Sequence, residues 1–285
     1  MIDLSEKILH ESGLLGHLLQ DNTCGRNILW CTDSDTGFYP DDPIDHTYIA
    51  EHNVINPRVV KEKEERINRT REKAEVFTPL SICKAQNDYI DEWWYKTHKK
   101  SNWKAYVKSN RMEITCGEAP YLVSRYDATT GEDVAIKDRI GLLDRKLHLI
   151  NKYIEDEEEW LKWCKEAFKH IYGYEWQGDS LLLARENLYA TFTEYFYDKF
   201  GKEPDIKDSI EICDIISWNI FQMDGLTHRI PMTDIKVKIK DWDKNEIIYF
   251  EDLLHEDEPK EKEKTLFDDD PIWQEMNKDK DTPNE

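Results

Sequence analysis

Two short apolar segments, Met112–Thr115 and Ile171–Trp176, alternate with long stretches of helical periodicity, and this alternation constrains the chain more than any other feature. One stripe runs through Ile140, Leu143, Leu147, Ile150 and Ile154, and a second through Trp160, Trp163, Ala167, Phe168 and Ile171. A third, over Ser180–Phe200, carries Leu181, Ala184, Leu188, Phe192 and Tyr195. Apolar residues three and four apart line one side of a helix. Ile215–Phe221 is a further apolar segment that ends at Met223-Asp224-Gly225-Leu226. Strands alternating with long helices imply an α/β protein with a parallel sheet.

Upstream, Ser5–Leu19 fits a short amphipathic helix broken near Gly13, and Asn22–Pro57 reads as irregular structure with turns. Arg58–Lys73 is a mixed-charge helical stretch whose plain reading is a solvated face, and an aromatic helix follows through Ile90, Trp93 and Trp94. Lys236–Leu254 holds two alternating runs separated by Asp243-Lys244-Asn245, which predicts a hairpin. The expected organisation is a helical and irregular region over 1–73, an α/β domain over 74–230, the hairpin over 231–254 and an acidic, disordered tail over 255–285.

The chain has a formal net charge of −21 over 285 residues. Nucleic-acid binding draws on Lys and Arg neutralising phosphates, so this balance argues against strong DNA binding by the chain alone. Residues 251–285 hold 14 acids against five lysines, which leaves the remainder acidic as well. No apolar run reaches the roughly 18–20 residues of a membrane span, and the first 20 residues lack the pattern of a secretory signal. A cytoplasmic protein is expected. Six cysteines at wide spacings form no disulfide framework. Cys24, Cys31, His46 and His52 could in principle gather a zinc ion, but they lack the close cysteine pair of structural zinc sites; no metal is expected.

In a doubly wound sheet, ligands bind beyond the carboxyl ends of the strands. The first strand end leads into Cys116-Gly117-Glu118-Ala119, where Gly117 and Ala119 let the backbone approach a ligand closely. Glu175, at the second strand end, suits both hydroxyls of a ribose; Trp176 beside it offers a flat face for a purine. Asp224, after the third, suits an adenine amine. Spacing alone does not separate S-adenosylmethionine from a dinucleotide, although the absence of Gly-x-Gly-x-x-Gly weakens the latter.

The runs AEVFTPLSI (Ala74–Ile82), EITCGEAPYLVSRYD (Glu113–Asp127) and IYGYEWQGDSLLLARENL (Ile171–Leu188), followed by Met223–Leu226, resemble the adenine-N6-specific DNA methyltransferases of bacterial restriction–modification systems. The resemblance covers about residues 1–254 and extends to short proteins of that family described as subunit M. It implies a Rossmann-like S-adenosylmethionine-dependent fold. Phe77 would pack on the cofactor and Thr78 would bind its methionine carboxylate. Glu113 stands for the family's first aspartate, Cys116 and Gly117 match directly, and Ala119 replaces the final glycine. Glu175 would be the ribose ligand and Asp224 the adenine ligand.

Glu118 and the long stretch between Gly117 and Glu175 depart from the family pattern. The larger departure is the missing Asn/Asp-Pro-Pro-Tyr/Phe, which holds a flipped adenine. Asp270-Pro271-Ile272-Trp273 is a faint echo without the second proline. The resemblance therefore implies a fold truncated after its third strand: a cofactor-binding subunit with no catalytic residues of its own. A second methyltransferase or restriction subunit would complete it, and DNA would be met weakly or through that partner. The first strand would be left as an edge, to be covered by the hairpin or by another chain. The alternatives are a degenerate regulatory or assembly module and an acidic mimic of DNA.

Overall fold

The computed structural model describes residues 6–32, 37–60, 78–99 and 102–255. The chain is mixed α/β, and residues 1–250 form one compact unit; the second unit, 251–285, is described only where a 3-10 stretch begun at Phe250 runs to His255. Helices α1 (Glu6–Glu11) and α2 (Leu14–Leu19) are separated at Gly13, whose φ of +79° breaks the helix as the sequence predicted. A two-strand ribbon, β1 (Gln20–Asp21) and β2 (Arg26–Asn27), leads to α3 (His46–His52). The composition of Asn22–Pro57 predicts irregular structure, yet α3 forms within it with ordinary caps: Asp45 accepts from the Tyr48 N–H, and Asn53 is left-handed.

After α4 (Leu80–Thr97) and α5 (Trp103–Val107) comes the sheet that organises the molecule. Strands β3 (Arg111–Glu113), β4 (Ile171–Glu175) and β5 (Ile220–Gln222) are parallel, with β4 in the centre. The crossover from β3 to β4 carries α6 (Leu142–Tyr153) and α7 (Glu157–Lys169). The crossover from β4 to β5 carries α8 (Gly178–Phe200) and α9 (Ile206–Asn219). The Ile215–Phe221 segment is thus divided: its first part completes α9 and only its end enters a strand.

Helix α8 is the centre of the core, buried without a break from Gly178 to Phe196. A helix buried on all sides is expected to be apolar throughout, but α8 carries Arg185, Glu186, Asn187 and Glu194. Partners explain most of this. Arg185 donates to the carbonyls of Leu18, Gln20, Ser217 and Ile220, so it closes the carboxyl ends of α2 and α9 at once. Burial lowers its pKa to about 10, still well above neutrality. Glu194 takes Arg125 at 2.8 Å and Arg139 at 2.5 Å, which ties the loop between β3 and α6 onto the helix.

The predicted hairpin is present as β6 (Lys238–Asp241) paired with β7 (Glu246–Tyr249). It does not cover β3. Val237, Ile239 and Phe250 pack with Tyr174 and Phe221 of β4 and β5, and Trp242 donates to Asn219. The Arg58–Lys73 stretch, apart from a 3-10 turn over Arg58–Val60, and the Asp270–Trp273 echo lie outside the described residues.

Candidate functional site

Parallel pairing sets Glu113 opposite Gly173 and Glu175 opposite Gln222, so the three strands end along one margin of the sheet. The chain leaves β3 through a turn in which Thr115, Gly117 and Ala119 all have positive φ (+49°, +52° and +62°). Non-glycine residues held there cost on the order of 1–3 kcal/mol each, so the turn needs fastening. Cys116 N–H donates to the Tyr174 carbonyl at 2.8 Å, and Gly117 N–H donates to Glu175 Oε2 at 2.9 Å. The turn is thereby latched to the end of the neighbouring strand.

The three expected acids differ in use. Glu113 is buried and accepts from the N–H groups of Leu122 (3.2 Å) and Tyr121 (3.4 Å); burial pushes its carboxyl well up, with nearby Glu175 adding repulsion. Glu175 accepts from Gly117, Trp176 and Gln177 N–H groups, and burial still raises its pKa despite them. A carboxylate offers about four lone-pair sites, so Glu175 keeps roughly one for a ligand. Asp224 closes its own turn, accepting from Leu226 N–H and Thr227 Oγ1. Desolvation opposes its charge, but those hydrogen bonds hold its pKa below the usual range.

Thr78 lies close to the Tyr121 side chain, and Tyr121 N–H reaches Glu113. Trp176 is 37% exposed and presents an open indole beside Glu175. Cys116 is a packed thiol, its pKa pushed well up by burial. Thr78, Glu113, Cys116, Gly117, Ala119, Glu175 and Trp176 are thus linked along the β3 and β4 ends, with Asp224 after β5. Phe77 lies outside the described residues.

Two residues, Gln222 and Glu118, make contacts that carry no sequence signal. Gln222 holds Leu29 by both backbone groups, accepting its N–H at 2.7 Å and donating to its carbonyl at 2.8 Å, and it also donates to the Trp176 carbonyl. The amino-terminal segment is therefore part of the strand-end margin. Glu118, an unexplained departure in the sequence, is buried; it accepts from Arg58 N–H and Tyr126 Oη, and its carbonyl takes Asn187. It fastens Arg58 onto the turn.

The zinc candidates are engaged elsewhere: Cys31 meets Gln222 Nε2 at 3.4 Å, His46 stacks on His10 and His52 on Tyr48. Among the described residues no three His, Cys, Asp or Glu side chains are grouped to hold a metal, and no helix is long and apolar enough to cross a membrane. No family model matches the chain, and no curated protein or solved structure is significantly similar to it.

Proposed function

We propose that the carboxyl ends of β3, β4 and β5 form an S-adenosylmethionine site in a Rossmann-like half-sheet. The chain is then the cofactor-binding subunit of an adenine-N6 DNA methyltransferase of the restriction–modification kind, working in the cytoplasm. The observation that carries this is the latched turn: Gly117 N–H on Glu175, with Trp176 open beside it and Asp224 after the next strand. Asp224, whose hydrogen bonds keep it ionised, disfavours a phosphate-bearing ligand, since like charges at close range cost several kcal/mol when poorly solvated, and Glu113 and Glu175 offer a phosphate no cation. A sulfonium nucleoside with free ribose hydroxyls suits them. The residues present fit that group in part, because Glu175 already spends three acceptor positions on the backbone.

Catalysis is assigned to a second chain. Among the described residues β3 has a strand neighbour on its β4 side only. An exposed edge invites another strand.

A second reading has its own support. The three N–H groups on Glu175 and the two on Glu113 make these acids structural caps, as in a methyltransferase-like regulatory or assembly module that binds no cofactor. Equilibrium dialysis with labelled S-adenosylmethionine separates the two. Saturable uptake displaced by S-adenosylhomocysteine but not by ATP is expected; no uptake at millimolar cofactor refutes the proposal and leaves the module.

A further inference from the structure

The sequence Lys236-Val237-Lys238-Ile239-Lys240 sorts its side chains by face. Val237 and Ile239 are buried against Tyr174 and Phe221, while Lys236 is exposed and Lys238 and Lys240 are half-exposed. Alternate residues of a strand stand about 6.6–6.8 Å apart on one side, so the lysines form a regular cationic row. The register places Tyr249 beside Lys238 and Ile247 beside Lys240 on that face. Both are open, at 42% and 57% exposure. Lys236 lies 5.8 Å over the Tyr249 ring, and Lys240 4.2 Å over Trp242. Neither Lys238 nor Lys240 has a carboxylate partner among the described residues, although the whole chain carries −21. The acids of the hairpin, Asp241, Asp243 and Glu246, gather at its turn, where Asp241 accepts from the Asp243 and Lys244 N–H groups.

The row is held rigidly. Thr23 exchanges hydrogen bonds with both backbone groups of Lys238, and Tyr172 Oη donates to the Lys240 carbonyl. Beyond Lys240 the surface falls into a cleft of about 920 Å³, lined among others by Trp242, Trp218 and Lys169. It lies toward the starts of β4 and β5, away from the proposed cofactor margin.

We propose that this outward face of the β6–β7 hairpin binds single-stranded nucleic acid. Phosphates run along Lys236, Lys238 and Lys240, and unpaired bases lie against Tyr249 and Ile247 and at the Trp242 mouth of the cleft. A charged groove combined with exposed rings is what binds a strand without sequence preference. A duplex would use the lysines and leave Tyr249 and Ile247 idle. The site goes beyond the cofactor reading and stands without it.

The test is fluorescence anisotropy of the full chain with a labelled oligothymidine of about 20 nucleotides at low salt. Binding is expected, with affinity falling with salt at a log–log slope of about −2 for three phosphate contacts. Lys236→Gln/Lys238→Gln/Lys240→Gln should weaken it at least about tenfold, the loss of most of that counterion release. The control Lys84→Gln/Lys96→Gln/Lys99→Gln, on α4 and just after it, with the same change in charge, should leave binding unchanged, and circular dichroism checks the fold of both. No binding at ~0.1 mM chain, well above ordinary non-specific dissociation constants at low salt, overturns the proposal. So does equal weakening by the control, or tighter binding of a duplex of the same length. Cofactor dialysis is a separate measurement, so either proposal can fail alone.

Discussion

Glu186 is a single residue whose burial has a measurable consequence. It sits within α8 with Oε1 buried and, among the described residues, without a hydrogen-bond partner. Burial pushes its carboxyl well above the ordinary range, Glu6 adds repulsion and Arg125 opposes it. An acid whose pKa is raised by folding binds a proton more tightly in the native state, so its contribution to stability declines as pH rises past the ordinary glutamate range. Glu186→Gln keeps the shape and removes that titration. The variant is expected to melt higher than wild type at pH 7.5, by roughly 2–4 °C for about 1 kcal/mol in a chain of this size. The gain should shrink toward pH 5; an equal gain at both pH values would show that Glu186 is not the titrating group. The local sequence Arg185-Glu186-Asn187 gives no hint of this, because burial of α8 on all sides is set by the elements packed around it.

At the scale of elements, the sequence read well where period and length agreed. The α6, α7 and α8 stripes, the β4 run and the hairpin are present as expected because each pattern matches the face it buries. It read poorly where one apolar run serves two elements, as at Ile215–Phe221, and where a contact spans most of the chain. The Leu29–Gln222 clamp is of the second kind, joining residues 193 positions apart. The hairpin was misplaced because alternation shows which face is apolar and not which strand it covers. Gly178 tests the amino-terminal segment's place on the sheet. A Cβ there would meet the Leu29 carbonyl oxygen at 2.0 Å and Ile44 Cδ1 at 3.0 Å. Backbone cannot yield as a flexible side chain does, so Gly178→Ala should destabilise by about 1–3 kcal/mol, read as a lower urea midpoint at unchanged slope. An unchanged midpoint would mean that the 28–31 segment does not pack on the start of α8.

For the molecule as a whole, the charge of −21 is the dominant long-range term. Self-repulsion opposes the compact state and is screened over about 8–10 Å at physiological salt. The melting temperature should therefore rise between about 10 mM and 150 mM sodium chloride, where the Debye length falls from roughly 30 Å to 8 Å; a fall would mean that attractive pairs such as Lys165 with Asp208 and Glu211 outweigh the repulsion. The candidate site was legible to the same degree as the fold. Strand ends marked by Gly117, Glu175 and Asp224 were readable because their positions follow from the alternation of elements. That Glu175 spends its acceptors on three backbone N–H groups was not, since it depends on how the turn after β3 closes on β4.

Glu175 is a cap in the structure and a cofactor ligand in the proposal, which makes calorimetry of S-adenosylmethionine binding to wild type, Glu175→Gln and Glu175→Ala the most direct test. Wild type should bind with a stoichiometry of one. Glu175→Ala should lose about 1.5–3 kcal/mol of affinity, the worth of hydrogen bonds to a charged acceptor, and Glu175→Gln should lose less. Wild-type heats indistinguishable from dilution at millimolar cofactor, in a chain that melts cooperatively, would contradict the cofactor site and leave Glu175 as a cap.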